Sequence, residues 1–393
     1  MKTWIIEPRD PLIARDGRPF TADPGARAKS MPFPFPSTTT GTMRTRYGYG
    51  KPDFTGFDEK LIEEVRKIQA QGPLLVELDS KGEIEDWLLH APADAVLFEA
   101  GAKQAHIKQL VAPPLSEGMY TDLPDDLRPV CFASDDAINK RKPQKDAPQF
   151  WKREKFFDWL RNPRDQQSVE LDQLGHSGPV AESRVHVRID PDTQSTEEGF
   201  LYQTSGLEFT RRINGKTLRL ALAVRTSVDA LAGQAPLGGE QRLCHWRTSD
   251  KHLPLTCPNE IRQAIKDNKA CRVALLTPAH FRAGSRPDWL LQARHGVTPG
   301  LFAAAVRRPQ VVSGWDYEIR KPKPTRRLAP AGSVFFLKLD GDEQKIDQWI
   351  DAVWMNCVSD DDENGNPDQT RLDGFGLAAL GVWSGEGKEM EVN

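Results

Sequence analysis

Arg15 and Arg18 flank Asp16-Gly17, in a turn that follows the apolar run Trp4-Ile5-Ile6. A proline-rich stretch then leads through Pro34-Phe35-Pro36 to Ser37, Thr38, Gly41 and Arg44. A helix starting at Ser37 would set unpaired backbone N–H groups beside these arginines. That combination suits an anion, and a chain of phosphates most of all. A second anchor lies far along the chain, where Leu372-Asp373-Gly374-Phe375-Gly376-Leu377 opens a last strand, Leu377 to Trp383. Gly374 and Gly376 can adopt φ > 0 and let a phosphate approach the backbone; a plain tight turn would use them equally well. Their spacing is not that of a dinucleotide-binding fingerprint.

Three further stretches carry chemistry. Leu237-Gly238-Gly239-Glu240-Gln241-Arg242 is a glycine turn with charges attached. Val312-Ser313-Gly314-Trp315-Asp316 precedes Lys321-Pro322-Lys323-Pro324 and Arg326-Arg327, mixing aromatic, glycine and basic residues in a loop. Base stacking with phosphate contact is one use of that mixture, and a proline-stiffened solvated loop is the other. Arg184–Asp190 alternates, with Val185, Val187 and Ile189 on one face and His186 and Arg188 on the other, which predicts a half-buried strand. His186 could contact RNA or act as a general base; an ordinary surface hydrogen bond is the plainer role. Cys244-His245, His252 and Cys257 match no zinc-finger spacing. The run Asp360–Glu363 could hold Mg²⁺, but adjacent acids in a polar loop are ordinarily solvated. No Ser–His–Asp order or Walker motif is visible, so no cofactor or metal is expected.

The elements that must position these groups follow from patterning. The chain has 393 residues, enough for two domains, with 38% apolar and 28% charged residues, as a soluble globular protein requires. No apolar run approaches the ~20 residues needed to span a bilayer. Met1-Lys2-Thr3-Trp4 lacks the apolar stretch of a signal peptide, and five scattered cysteines argue against a disulfide framework. The expected location is the cytoplasm. Net charge is -3, so any polyanion must meet a local basic face. Residues 3–7 read as a strand, Thr38–Tyr47 as a helix capped by Ser37, and Asp58 as the cap of a helix with stripe Leu61, Ile62, Val65, Ile68. Leu74–Asp79 reads as a strand and Gln149–Leu160 as an aromatic-rich helix. Gly199–Thr210 and Leu218–Thr226 read as hairpin partners across Asn214-Gly215. Cys271–Thr277 and Ser333–Leu339 are strands, and Gln344–Asn356 a helix. The fold class is α+β, with antiparallel sheets backed by helices, an insertion or mobile loop near 112–150, and a boundary near Asp229–Ala235.

Taken in order, these segments resemble the third subunit of the Cmr effector complex of type III-B CRISPR systems, in the Cas-five-like branch of the RAMP superfamily. The resemblance is carried by Glu7-Pro8-x-Asp10-Pro11-Leu12-x-x-Arg15-Asp16-Gly17-Arg18-Pro19-Phe20, Pro34-x-Pro36-Ser37-Thr38-x-x-Gly41-x-x-Arg44, and His186-Val187-Arg188-Ile189-Asp190 with Thr193. Leu237-Gly238-Gly239-Glu240, Gly314-Trp315-Asp316, Pro330-Ala331-Gly332-Ser333-Val334 and Gly374-Phe375-Gly376 continue it. It implies two ferredoxin-like (RRM-related) domains, residues 1–230 and 231–393, with a glycine-rich loop near the C-terminus. It also implies binding of the repeat-derived 5′ tag of the crRNA, docking on the large signalling subunit and beside a backbone RAMP subunit, and no nuclease activity. Residue chemistry and resemblance together nominate Arg15, Arg18, Ser37, Thr38, Gly41, Arg44, His186, Arg188, Gly238, Gly239, Lys321, Lys323, Arg326, Gly374 and Gly376 as the RNA-binding set. The competing expectation is a metal-independent endoribonuclease that processes precursor crRNA, with His186 as its base. No small-molecule substrate is expected.

Overall fold

The structure is a computed structural model that describes residues 1–15, 27–28, 30–113, 120–124, 127–133, 137–213, 215–316 and 321–385. It divides into two compact units, each drawn from several stretches of the chain. One holds Met1–Glu85, Gly178–Asp250 and Val311–Arg326; the other holds Asp86–Ser177, Lys251–Gln310 and Arg327–Asn393.

The first unit is built on Lys2–Pro8, whose Trp4, Ile5 and Ile6 are buried. A run with no polar alternation needs cover on both faces, so this strand is central rather than an edge. Lys216–Thr226 pairs with it on one side and Leu243–Ser249 on the other, both antiparallel, so that Ile5 lies between Ala223 and Arg247. Ala70–Leu78 flanks Lys216–Thr226, and Gly233–Pro236 flanks Leu243–Ser249. Counting Lys2–Pro8, Ala70–Leu78, Lys216–Thr226 and Leu243–Ser249 as first to fourth, the spatial order is 2-3-1-4. Leu243–Ser249 lies past the boundary expected at Asp229–Ala235, yet it pairs with the first strand, so this sheet runs on to Ser249.

Glu7 explains part of the N-terminal motif. Arg219 donates to its Oε1 (2.6 Å) and Arg247 to its Oε2 (2.9 Å), one arginine from each neighbouring strand. Burial pushes the carboxyl up, but these bonds outweigh it and hold Glu7 below the ordinary value. The same arginines donate to the carbonyls of Asp79 and Gly82 and so fasten the turn after Ala70–Leu78.

Helix Pro36–Tyr49 is longer than the expected Thr38–Tyr47, and Phe35, not Ser37, takes the cap position, with no side-chain cap bond. Proline at its first position supplies the start, since its missing N–H would be unpaired there anyway. Asp58 does cap Glu59–Arg66, accepting from Leu61 N–H at 2.8 Å.

In the second unit Ala270–Leu275, Thr298–Ala305, Val334–Asp340 and Ala378–Val382 form an antiparallel sheet, again in the order 2-3-1-4. Helices Asn259–Asn268 and Glu343–Val353 pack on it, the latter burying Ile346, Trp349, Ile350 and Val353. The aromatic segment expected as one helix splits into strand Phe150–Lys152 and helix Arg153–Arg161. Within the 112–150 stretch, Cys131–Phe132 pairs with Gln104–Val111. Among the described residues no helix is long and apolar enough to cross a membrane.

Candidate nucleic-acid interface

Arg15 sits at the end of a segment held at three points. Leu12 exchanges backbone bonds with Leu207 (2.9 and 2.8 Å), Gly239 N–H donates to Ile13 O (2.7 Å), and Met31 N–H donates to Ala14 O (2.7 Å). Leu12, Ile13 and Ala14 are buried, so the chain is anchored up to the residue where the guanidinium emerges. Gly238 has φ 72°, and a β-carbon there would lie 2.5 Å from Ile13 O; this is a position only glycine can take. Glu240 (φ 55°) and Gln241 (φ 52°) continue in the left-handed region without being glycine, at about 1 kcal/mol each. The turn therefore delivers Glu240 and Arg242 to the side of Arg15. Arg15 donates to Glu240 Oε1 (3.2 Å) and Arg242 to Glu240 Oε2 (2.8 Å).

Beside this turn lies a small, shallow cleft lined by Pro11, Ile13, Glu182, Arg184, Thr204, Gly206 and Arg242. Pro11 approaches so closely that a β-carbon at Gly206 would lie 2.8 Å from it. Thr204 is buried and its Oγ1 meets His186 Nε2 at 2.9 Å, while the imidazole stacks on Tyr202 (5.2 Å, 15°). Arg184 donates to Glu182 Oε1 at 2.7 Å, a bond that raises its pKa above the ordinary arginine value. The cleft is thus walled by the guanidinium groups of Arg184 from a strand and Arg242 from the turn, each balanced by a carboxylate, with Thr204 in the wall and His186 and Tyr202 behind it. It can take an anion and offers an aromatic edge beside it.

Of the nominated residues, the structure brings together Arg15, Gly238 and Gly239, and joins His186 to the same wall through Thr204. Arg18 lies outside the described residues. Arg44 turns inward instead, donating to Ile68 O (2.8 Å) and Arg66 O (3.4 Å) at the end of Glu59–Arg66. Ser37 and Thr38 stand in the first turn of Pro36–Tyr49, and Gly41 is exposed with open space beside it. Arg188 is exposed on Val180–Ile189. Lys321 and Lys323 are exposed on a small ribbon in which Trp315–Asp316 pairs with Lys321–Pro322, and Arg326 opens strand Arg326–Ala329.

Gly374 and Gly376 are buried in the second unit. Both have positive φ, 106° and 84°. What approaches Gly376 is the chain itself: a β-carbon would lie 2.7 Å from Ser359 N. Gly376 N–H donates to Pro278 O, and Gly374 O accepts from Thr277 Oγ1. The acidic run before this turn is not the solvated loop expected. Asp360 is buried and accepts from the backbone N–H of Arg282 and Trp289 (both 2.8 Å), and Asp361 pairs with Arg371. Among the described residues no three His, Cys, Asp or Glu side chains converge as a metal site would need.

Arg184, Arg242 and Thr204 escaped the sequence reading. A signal existed for two of them. Arg184 is two residues before His186 and shares its face by strand alternation, and Arg242 closes the glycine turn already singled out.

The apolar face of Val180–Ile189 corrects a burial expectation. Val185 is 61% exposed, Val187 42% and Ile189 50%, and Leu201, opposite Val187, is 55% exposed. Alternation identified the strand, but this ribbon presents its apolar side outward.

The sequence matches the CRISPR-associated protein (Cas_Cmr3) family over residues 4–383. The chain belongs to that family. That membership agrees with the resemblance to the third subunit of the type III-B Cmr complex. None of the curated proteins matches it. Among solved structures, a chain of the type III-B Cmr-β complex bound to cognate target RNA is 17% identical, with 85% of this chain and 86% of that one covered and a TM-score of 0.45. A chain of the same complex bound to cognate target RNA and AMPPnP is 16% identical over the same shares, also at 0.45. A chain of the Csm3–Csm4 subcomplex of the type III-A CRISPR-Cas interference complex is 12% identical over 87% and 94%, at 0.34.

Proposed function

We propose that this member of the Cas_Cmr3 family is a non-catalytic guide-RNA subunit. It holds the repeat-derived 5′ tag of the crRNA in the cleft around Arg15, Arg184 and Arg242, and works in the cytoplasm. It docks on the large signalling subunit and an adjacent backbone RAMP subunit. The observation that supports this is the meeting of Arg15 and Arg242, from separate segments, on Glu240 at the border of a cleft that Arg184 and Arg242 line. Arginine forks match phosphate oxygens geometrically, and a turn whose backbone is forced into shape holds them in register. The shared 2-3-1-4 antiparallel order of the two sheets supports the reading of two ferredoxin-like domains.

The nuclease alternative rests on His186, behind the cleft wall, whose Nε2 meets Thr204 Oγ1. The test is binding of a labelled single-stranded RNA carrying the tag sequence, over a salt series. Replacing Arg15 and Arg184 together with alanine is expected to weaken binding by about 10- to 100-fold and to flatten the salt slope by about one unit or more. Unchanged affinity and slope would remove RNA from the cleft. Incubation with precursor RNA is expected to leave it intact; cleavage that disappears in His186→Ala would establish the nuclease instead.

A further inference from the structure

Glu240 carries the inference. Its two carboxylate oxygens are each taken by a different arginine, Oε1 by Arg15 and Oε2 by Arg242. The arginines come from separate segments, one from the anchored stretch after Pro11 and one from the far end of the glycine turn. Without an anion between them, two guanidinium groups would not converge on one point. The turn that carries Glu240 has positive φ at Gly238, Glu240 and Gln241, and its carboxylate lies between the two arginines. Arg242 borders the RNA cleft, and its Nε is buried without a hydrogen-bond partner. A carboxylate and a phosphodiester present the same features to such a pair: one negative charge and two acceptor oxygens in a plane that a fork can grip.

We propose that Arg15 and Arg242 form a seat for one phosphodiester of the bound RNA, and that Glu240 occupies this seat when no RNA is present. The proposal rests on the RNA-binding reading above and assigns Arg242, absent from the nominated set, to the phosphate. The carboxylate keeps the two guanidinium groups converged and prevents their mutual repulsion from opening the seat. The pair remains about one-third exposed, at 33% for Arg15 and 39% for Glu240, so the internal ion pair is weak and displacement is cheap. A phosphate held also by its neighbours along the chain then wins the competition. Glu240 swings out on RNA binding and returns on release.

The test uses the full chain and labelled single-stranded RNA carrying the tag sequence, with melting temperature measured on each preparation. Arg242→Ala is expected to weaken binding about tenfold, as loss of one charge-assisted bond should. Glu240→Gln keeps the shape and removes the competitor. It is expected to tighten binding several-fold at fixed salt. The gain is expected to vanish when Arg15 and Arg242 are already alanine. A gain that persists in that background is long-range charge and overturns the seat. Weaker binding, or no change, in Glu240→Gln overturns displacement while the cleft reading stands, provided that Arg242→Ala weakens binding. If neither arginine variant changes affinity or slope, the cleft reading fails and this inference falls with it.

Discussion

At the scale of single residues, the polar groups divide into those bonded inward and those turned to solvent. Arg272 and Asp94 are 1% and 0% exposed and pair with each other. Arg272 also donates to Val382 O and Trp159 O, and Asp94 accepts from Trp159 Nε1. A buried pair of this kind is costly to break because the partner left behind is an unpaired charge. Asp94→Ala is expected to destabilise the chain by about 3–5 kcal/mol, read by urea denaturation. Asp94→Ala with Arg272→Met, which removes both charges, should recover much of that loss. His90, its ring tilted against that of Phe150 at 4.4 Å, has its pKa pushed down to about 4 by burial and by the Arg307 charge. The unfolded chain binds this proton near 6.5, and the folded chain only near 4. Its contribution to stability is therefore complete above about 6.5 and is lost as pH falls toward about 4. His90→Gln should flatten the pH dependence of unfolding in that window, and an unaltered profile would show that other groups set it.

At the scale of elements, some motif residues answer to the fold's demands and not to a ligand's. Gly376 ends the stretch Gln369–Gly376 against Ser359, and its φ of 84° leaves no room for a β-carbon. Gly376→Ala is expected to cost about 1–3 kcal/mol of stability while the folded fraction keeps its RNA affinity. Loss of RNA binding without loss of stability would return this turn to the RNA site. The ribbon Val180–Ile189 with Thr196–Glu208 makes the opposite case. Val187 and Leu201 face each other across it in solvent, so Val187→Ser with Leu201→Ser should change stability by no more than about 0.5 kcal/mol each. A larger loss would mean that this face is covered in the folded chain.

For the whole molecule, the net charge of -3 means that an RNA is not attracted by bulk charge. On the proposed function, affinity comes from the guanidinium groups at the cleft. With Arg15, Arg184 and Arg242 each meeting a phosphate, the plot of log K against log salt should have a slope of about -2, at ~0.7 per contact on a single strand. A slope near zero would exclude phosphate contacts there, and a much steeper one would bring in the exposed Lys321 and Lys323.

Local pattern alone determined the elements, because periodicity and turn chemistry act between near neighbours. Trp4-Ile5-Ile6 reads as a buried strand and Asp58 as a cap, as the structure has them. The pattern pairs Gly199–Thr210 with Leu218–Thr226, whereas Thr196–Glu208 pairs with Val180–Ile189 and only the short Thr210–Ile213 meets Lys216–Thr226. The order of the motifs determined the family in the same way. Tertiary structure alone decided which charges are used. Arg15 and Arg44 look alike in the sequence, 29 positions apart beside glycine turns, yet one emerges at a cleft and the other is consumed by the carbonyls of Arg66 and Ile68. Arg242 reaches Arg15 only because Gly239 pairs with Ile13, a contact across more than 200 residues. Pairing at that separation is set by backbone hydrogen bonds and buried area, which no local window of sequence contains.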